Sequence, residues 1–379
     1  MMASYNRFNK GILGYAAGAI LGLSSLVLSP NSPRADAGEN VEEGIKHPPK
    51  TPAEAAVQSL ENLVIDYSQK IPETFAPIKD IPILHADTEH YDITTSLGKD
   101  NLDLFVKTAE KTRGVLENVL GIEEEHLSIR HVKQLICKPS EYRGILEKVG
   151  VSKESLDRAS NVSTYFRDGI FIVAPTIERK VESLDKYIQS IAGGHISQDP
   201  RFSVPGKGLY LHPWLMDSVS LFTSSIINNS TLSYATVEKT YGGGSRKFET
   251  KEEMFTGFVF NPKYCAAMIK AGKDEDLRLL IGKQYDTLTA EDNIKGYFFL
   301  KYLIEERDKE HSRLGPWLKS EVDGIDMEES LRKNFNLTDN KPAYEEMDKQ
   351  FRDYFLKAYP VTETKATTKP AKPSKPGRK

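Results

Sequence analysis

The sequence predicts an α+β protein with a small N-terminal β-sheet and helices, followed by a mainly helical C-terminal half. Short runs at residues 91–97 and 128–137 are rich in β-branched and apolar residues, which is typical of strands. Two further such runs flank Asp168-Gly169, a dipeptide that favours the turn of a β-hairpin. Beyond the hairpin, apolar residues recur at helical spacing to about Tyr359, so we expect helices there.

The N-terminal segment has the three parts of an export signal. Arg7 and Lys10 precede an uncharged, mostly apolar stretch at residues 11–28, and a small-residue cleavage triplet ends at Ala37. This order predicts a signal peptide over residues 1–37. The apolar stretch is also just long enough to cross a bilayer, so an uncleaved anchor is the alternative. Both interpretations place the rest of the chain outside the cytoplasm, as a secreted, periplasmic or cell-envelope protein, and only the anchor implies a membrane contact.

Composition and charge exclude several functional classes. Charged residues make up 28% and hydrophobic residues 39%, as in an ordinary globular protein. The net charge of -3 gives no overall positive field, so we expect no nucleic-acid partner. Cys137 and Cys265 lie far apart, outside any metal-finger spacing. Two buried free thiols and, in an oxidising compartment, a disulfide both remain open.

Two terminal segments flank the expected main domain at residues 87–360. Residues 38–86 are expected to form a linker and an N-terminal helix, which begins at the capping box of Thr51 and Glu54. Residues 361–379 are rich in Lys, Pro and Thr and predict a disordered basic tail. The N-terminal helix is expected to bury one apolar face, formed by Val57, Leu60, Val64 and Tyr67.

Helices are expected on both sides of the hairpin. A long one spans residues 100–120 with Gly121 as its C-terminal cap, and Ser140 is expected to cap a short one. After the hairpin, the second helix begins near Pro213, as a proline in the first helical turn indicates. The helix directly after the hairpin has a regular apolar stripe: Ile177, Val181, Leu184, Ile188, Ile191 and His195.

This order of elements resembles the peptidase MA-like (gluzincin-type) zinc metallopeptidase domain, and the resemblance covers residues 91–359. It implies a zincin-like fold in which the helix after the hairpin carries H-E-x-x-H. Two histidines four residues apart project from one helix face toward one ion, and the glutamate accepts a proton from the metal-bound water. The next helix begins with a Pro-x-Trp-Leu-x-Glu-Gly type motif, whose glutamate is the third zinc ligand.

The motif is degenerate in this chain. Ile191 stands at the first histidine, Ala192 at the general-base glutamate, and only the second histidine is kept, as His195. In the next helix Trp214 matches, and the shorter Asp217 stands where the third ligand would be. Isoleucine cannot coordinate a metal and alanine cannot take a proton, so we expect no catalytic residue and no cofactor among these vestigial positions.

Three functional hypotheses follow. The first is a non-catalytic exported pseudopeptidase with a binding or scaffold role, which takes a peptide, glycan or protein ligand in the ancestral cleft. The second is a zinc-dependent hydrolase with an unconventional site, in which His195 and Asp217 bind the metal and His212 is recruited to it. The third is an exported, structural helical protein that is unrelated to peptidases.

Gly193 and Gly194 interrupt the predicted motif helix with two poor helix formers. They suggest either close packing against the neighbouring helix or a helix that ends early.

Overall fold

The computed structural model describes residues 51–361, with gaps at 68–69, 122–131, 154–155, 157–163, 168–169, 175–179, 199–202, 205–207, 210–211, 233–253, 285–286, 308–312, 324 and 339–341. The expected export segment at residues 1–37, the basic tail beyond residue 361 and the Asp168-Gly169 turn lie outside the described residues. Among the described residues, no helix combines the length and the apolarity that a membrane crossing requires.

A five-stranded mixed sheet forms the centre of the N-terminal half, where the sequence predicts a small sheet. Its spatial order is β1-β2-β3-β5-β4, with β2, β3 and β5 parallel and the two outer strands antiparallel to their neighbours. The expected hairpin is confirmed as the antiparallel pair of β4 and β5. The strand bounds are β1 Leu84–Asp87, β2 Asp92–Thr95, β3 Lys133–Ile136, β4 Thr164–Arg167 and β5 Ile170–Val173.

Helices cover both faces of this sheet because side chains alternate along each strand. One face packs on α2 (Lys99–Leu120) and α4 (Lys180–Gln198). The other face packs on α3 (Pro139–Lys148) and on a 3₁₀ helix at Glu73–Ile78. The N-terminal half therefore has three layers, and α4, which carries the motif, lies on the same face as α2.

The C-terminal half is a helical body built on α5 (Pro213–Asn228), which pairs with α4. Its largest hydrophobic cluster includes Trp214 and Trp317 and also takes in the C-terminal end of α2. Two-stranded pairs at Ser203–Val204 with Gly208–Leu209 and at Phe255–Thr256 with Val259–Phe260 flank α5 in sequence. The remaining helices are α6 Pro262–Lys270, α7 Leu277–Gly282, α8 Ala290–Tyr302 with a π-helical turn at Leu303–Arg307, α9 Leu314–Val322, α10 Met327–Phe335 and α11 Ala343–Ala358.

A buried ion-pair network holds the C-terminal helices together. Lys295 Nζ of α8 lies 2.7 Å from Asp348 Oδ1 of α11 and 3.0 Å from Asp274 Oδ2. Arg352 closes the network, with its guanidinium 2.6 Å from Asp348 and 2.7 Å from Asp274. Two cations balance two carboxylates, so the charges can be buried without an unpaired member.

The N-terminal helix differs from its prediction. The Thr51 capping box is present, but α1 (Pro52–Gln58) ends early, and Val57 and Val64 are 63% and 78% exposed. The helix docks through Ala56 instead, and it crosses α2 so closely that a Cβ on Gly114 would lie 2.6 Å from the Ala55 carbonyl oxygen. A backbone-to-backbone crossing leaves no room for the apolar face that the spacing indicated.

One smaller expectation was also wrong. Ser140 does not cap α3, because Lys138 occupies the N-cap and Pro139 begins the helix. Strand β1 begins at Leu84, within the segment 38–86 that was expected to hold a linker and an N-terminal helix. Of the two states left open for Cys137 and Cys265, the structure has the buried free thiols. Burial raises the pKa of Cys137 to about 12, which leaves that thiol unreactive.

Candidate functional site

The two helices that carry the motif positions, α4 and α5, pack directly against each other. Ala192 of α4 and Leu215 of α5 are fully buried in one hydrophobic cluster. Asp185 joins the helices again near the end of α5, because its carboxylate accepts hydrogen bonds from Asn228 Nδ2 at 2.7 Å and from Ser230 Oγ at 2.5 Å. The relative placement of α4 and α5 is therefore fixed at two points.

His195 is fully buried and is held by a tyrosine. Its Nε2 lies 2.6 Å from the Tyr91 hydroxyl oxygen, and the Tyr91 hydroxyl in turn donates to the Ala109 carbonyl at 2.9 Å. Because the hydroxyl has a single proton, His195 donates through Nε2 and its Nδ1 is the deprotonated nitrogen. Within the described residues, Nδ1 has no hydrogen-bond partner.

The environment of His195 favours the neutral imidazole. Burial lowers the pKa of His195 from 6.5 to about 3, and electrostatic interactions with Arg113 and His90 act in the same direction. His195 is thus a neutral side chain of the core at physiological pH. It resembles a hydrogen-bonded core histidine more than a residue exposed to substrate.

A buried polar cluster lies beside this histidine. Glu110 of α2 accepts from His90 Nδ1 at 3.1 Å and from Arg113 Nε at 3.2 Å, and its side chain is almost completely buried. Glu110 is a carboxylate near the motif helix, but its charge is already engaged by Arg113. A buried and paired carboxylate is not placed to activate water.

Ile191 and Ala192, at the first-histidine and general-base positions of the resembled motif, are both buried. Ile191 packs in the cluster between the sheet and α2, together with Tyr187. Ala192 faces the other way, toward α5. The first-histidine and general-base positions therefore contribute apolar surface to two different parts of the core.

Trp214 and Asp217 occupy the motif positions on α5. Trp214 is buried, with its ring centroid 5.8 Å from Phe299 and 6.4 Å from Trp317. It faces the C-terminal helical body, whereas His195 faces Tyr91 and α2. Asp217 is half-buried on the same helix.

The closest helix contact around the motif lies at Gly296 of α8, where it meets α5, and not at Gly193 of α4 as expected. A Cβ on Gly193 would meet only Met216 Cε at 3.8 Å, an ordinary contact. A Cβ on Gly296 of α8 would lie 2.6 Å from Ser218 Oγ and 3.5 Å from Trp214 Cε3. The interpretation of Gly193 as a packing glycine is therefore wrong, and so is an early helix end, because α4 continues to Gln198.

The residues at the motif do not fit a zinc ion. Zinc sites have three or four ligands that converge on one point. His195, Asp217 and His212 do not form such a group, and His212 is the N-cap residue of α5, next to the backbone of Ile281. Among the described residues, the group that does bring three ligand atoms within 4.8 Å of one another is elsewhere, at His85, Asp87 and Asp92.

The residues that surround His195 and the three-residue group were missed in the sequence. Tyr91 lies 104 residues before His195, and no local pattern connects them. His85 and Asp87, in contrast, are two residues apart in a strand, which places both side chains on one face. That alternation is the signal that could have found the group.

Comparison of the chain with protein-family models, with curated proteins and with solved structures found no match. The resemblance to gluzincin peptidases therefore rests on the motif residues and on the order of elements.

Proposed function

We propose that this chain is a non-catalytic, extracytoplasmic protein built on a gluzincin-like framework, and that it serves as a scaffold or binding module. The observation that carries the proposal is the environment of the motif on α4. Ile191, Ala192 and His195 are all buried, and the one surviving histidine is engaged by Tyr91. Peptide hydrolysis by the zinc route needs a bound metal and a base with access to water, and these positions offer neither.

A scaffold role is supported better than ligand binding at the motif itself. The motif side chains on α4 and Trp214 on α5 pack in the core between the sheet and the helical body. Asp217 is the exception, since it is half-buried. A peptide, glycan or protein ligand in the ancestral cleft would therefore meet the surface around Asp217 rather than the motif residues of α4.

Export is proposed from the sequence of the first 37 residues, whose order of charged, apolar and small residues is that of a signal peptide. The same order supports a place in the secreted, periplasmic or envelope fraction.

A peptidase assay tests the proposal. The purified full-length protein is incubated with a mixture of unfolded polypeptides, with and without added zinc and with a chelator, and new amino termini are counted. We expect no cleavage above the background of a His195→Gln control in any condition. Cleavage that the chelator abolishes, zinc restores and His195→Gln removes would instead support the zinc-dependent hydrolase and refute the proposal.

A further inference from the structure

Three exposed lysines lie around the point where the described part of the chain ends. Lys263 and Lys270 are seven residues apart on α6, so they share one face of that helix, about 10 Å from each other along its axis. Lys270 Nζ donates to the Val361 carbonyl oxygen at 3.4 Å, which places this face beside Val361. Lys357 lies on the last turn of α11, four residues before Val361. All three side chains are exposed, and Lys263 and Lys357 form no ion pair within the described residues.

The carboxylates nearest to these lysines in sequence are engaged by other groups. Helix α6 has no acidic residue, and the acidic run after it begins with Asp274, which is buried in the ion-pair network of the C-terminal helices. Glu275 lies 3.2 Å from Lys283, and Asp276 caps α7 through its side chain. On α11, Asp353 is paired with the lysine one turn before it. Each of these four carboxylates thus has a role of its own in the helical body.

The sequence beyond Val361 continues the positive charge of this surface. Residues 362–379 contain one acidic residue, Glu363, and six basic residues: Lys365, Lys369, Lys372, Lys375, Arg378 and Lys379. The net charge of -3 for the whole chain and of +5 for this segment leaves -8 on all other residues. Cations are therefore concentrated where the chain leaves α11, on a molecule that is otherwise acidic.

The composition of residues 362–379 favours one class of partner. The segment contains no aromatic residue on which the bases of a nucleic acid could stack. It also contains no large apolar residue, so a bilayer would be held by charge alone, and stable attachment to a membrane takes two signals. A linear polyanion needs only cations along its length, because the release of its counterions drives the binding.

We propose that this basic end of the helical body, formed by Lys263, Lys270 and Lys357 together with residues 362–379, binds a linear anionic polysaccharide. The ammonium group of lysine binds carboxylate or sulfate groups as a point charge and places little demand on their geometry. This ligand class deepens the binding role proposed above and rests on the extracytoplasmic location. None of the motif residues on α4 and α5 takes part in it.

Binding of fluorescein-labelled heparin and polygalacturonate to the purified full-length protein, followed by fluorescence anisotropy, tests this surface. Heparin supplies sulfate groups and polygalacturonate supplies carboxylates, whereas uncharged dextran is the control ligand. We expect both polyanions to bind and dextran not to bind. The affinity should fall by at least about 100-fold between about 50 and 200 mM salt, because the bound cations displace counterions from the polymer.

Two sets of substitutions separate the basic segment from the folded surface. The combination of Lys369→Gln, Lys372→Gln and Lys375→Gln should weaken the binding of both polyanions by about 100-fold or more. Lys263→Gln together with Lys357→Gln should weaken it by about tenfold or more, since each cation beside an anionic surface changes the affinity by roughly fivefold. Both folded-surface lysines are exposed, so urea denaturation of this variant should match that of the wild type.

Lys79→Gln together with Lys107→Gln is the matched control, because it removes the same charge from exposed positions of the N-terminal half. This variant should bind both polyanions as the wild type does. The proposal would be overturned by a wild type that binds neither polyanion, by an equal loss in the control, or by unchanged binding after Lys263→Gln with Lys357→Gln. Tighter binding of duplex DNA or of phosphatidylglycerol vesicles than of either polysaccharide would overturn it as well. The peptidase assay is independent of all these outcomes, so the non-catalytic function is tested separately.

Discussion

Tyr91 and His195 form the contact that holds the buried histidine of α4 in the core. The hydroxyl of Tyr91 accepts from His195 Nε2 and donates to the Ala109 carbonyl, so one side chain just before β2 joins α2 and α4. Three buried polar groups are satisfied by this arrangement. A histidine that would otherwise need a metal or water thus has a partner from the protein itself.

Replacement of Tyr91 by phenylalanine leaves His195 Nε2–H and the Ala109 carbonyl without this partner. We expect a loss of roughly 1–3 kcal/mol in the free energy of unfolding, the usual cost of unsatisfied buried groups. Urea denaturation measures it. Tyr67→Phe is the matched control, because its hydroxyl bonds Asp103 at 2.7 Å on the surface, and it should change stability by no more than about 0.5 kcal/mol. Equal losses in the two variants would contradict the assigned role of Tyr91.

The lowered pKa of His195 predicts a pH dependence of stability. Below pH 6.5 the unfolded chain binds a proton at this histidine, whereas the folded chain does not until about pH 3. Stability therefore falls as the pH falls through this window, by roughly 1.4 kcal/mol per unit for this group. Between pH 6.5 and 5 the wild type should lose roughly 2 kcal/mol more than His195→Gln, as measured by urea denaturation at each pH. Equal losses of unfolding free energy in the two proteins would contradict a buried His195 with a lowered pKa.

At the residue scale, the residue types at the motif positions could be read from the sequence, and the contacts that these residues make could not. Ile191 and Ala192 stand in one local motif, so their meaning follows from helical spacing. Tyr91, Glu110 and Arg113 come from other elements, and only the fold brings them to His195.

Among the secondary-structure elements, long segments with a clear apolar period were predicted well. Helix α2 begins one residue before its expected start and ends at Leu120, with Gly121 as its left-handed C-cap. The short α1 was predicted poorly because its contact with α2 is made by backbone at Ala55 rather than by a side-chain stripe. A close crossing of this kind leaves no periodic signal in the helix that makes it.

Two glycine substitutions test the helix crossings around the motif. Gly296→Ala places a methyl group against Ser218 Oγ and Trp214, so we expect it to destabilise the protein by roughly 1–3 kcal/mol. Gly193→Ala meets only an ordinary contact with Met216 and should stabilise α4 by up to about 1 kcal/mol through helix propensity. Thermal and urea denaturation of both variants measure the signs. If Gly193→Ala destabilises the protein instead, the tight helix contact lies at Gly193 of α4, which would contradict its assignment to Gly296.

On the scale of the whole molecule, the three-layered N-terminal half and the helical body meet along α4 and α5. The α+β class could be predicted from the positions of strands and helices along the chain. Whether the motif faces an open groove or the core could not, because burial depends on which elements stack on α4. The structure packs α2 and the sheet on one side of α4 and α5 on another, and this arrangement buries His195.

The most direct test of the account is a nitrogen-15 NMR titration of the His195 imidazole, assigned by comparison with His195→Gln. We expect a neutral ring protonated on Nε2, unchanged from pH 8 down to about pH 4 because of its low pKa, and unaffected by one equivalent of zinc. A ring that titrates near pH 6.5, or whose Nδ1 or Nε2 resonance shifts when zinc is added, would contradict it.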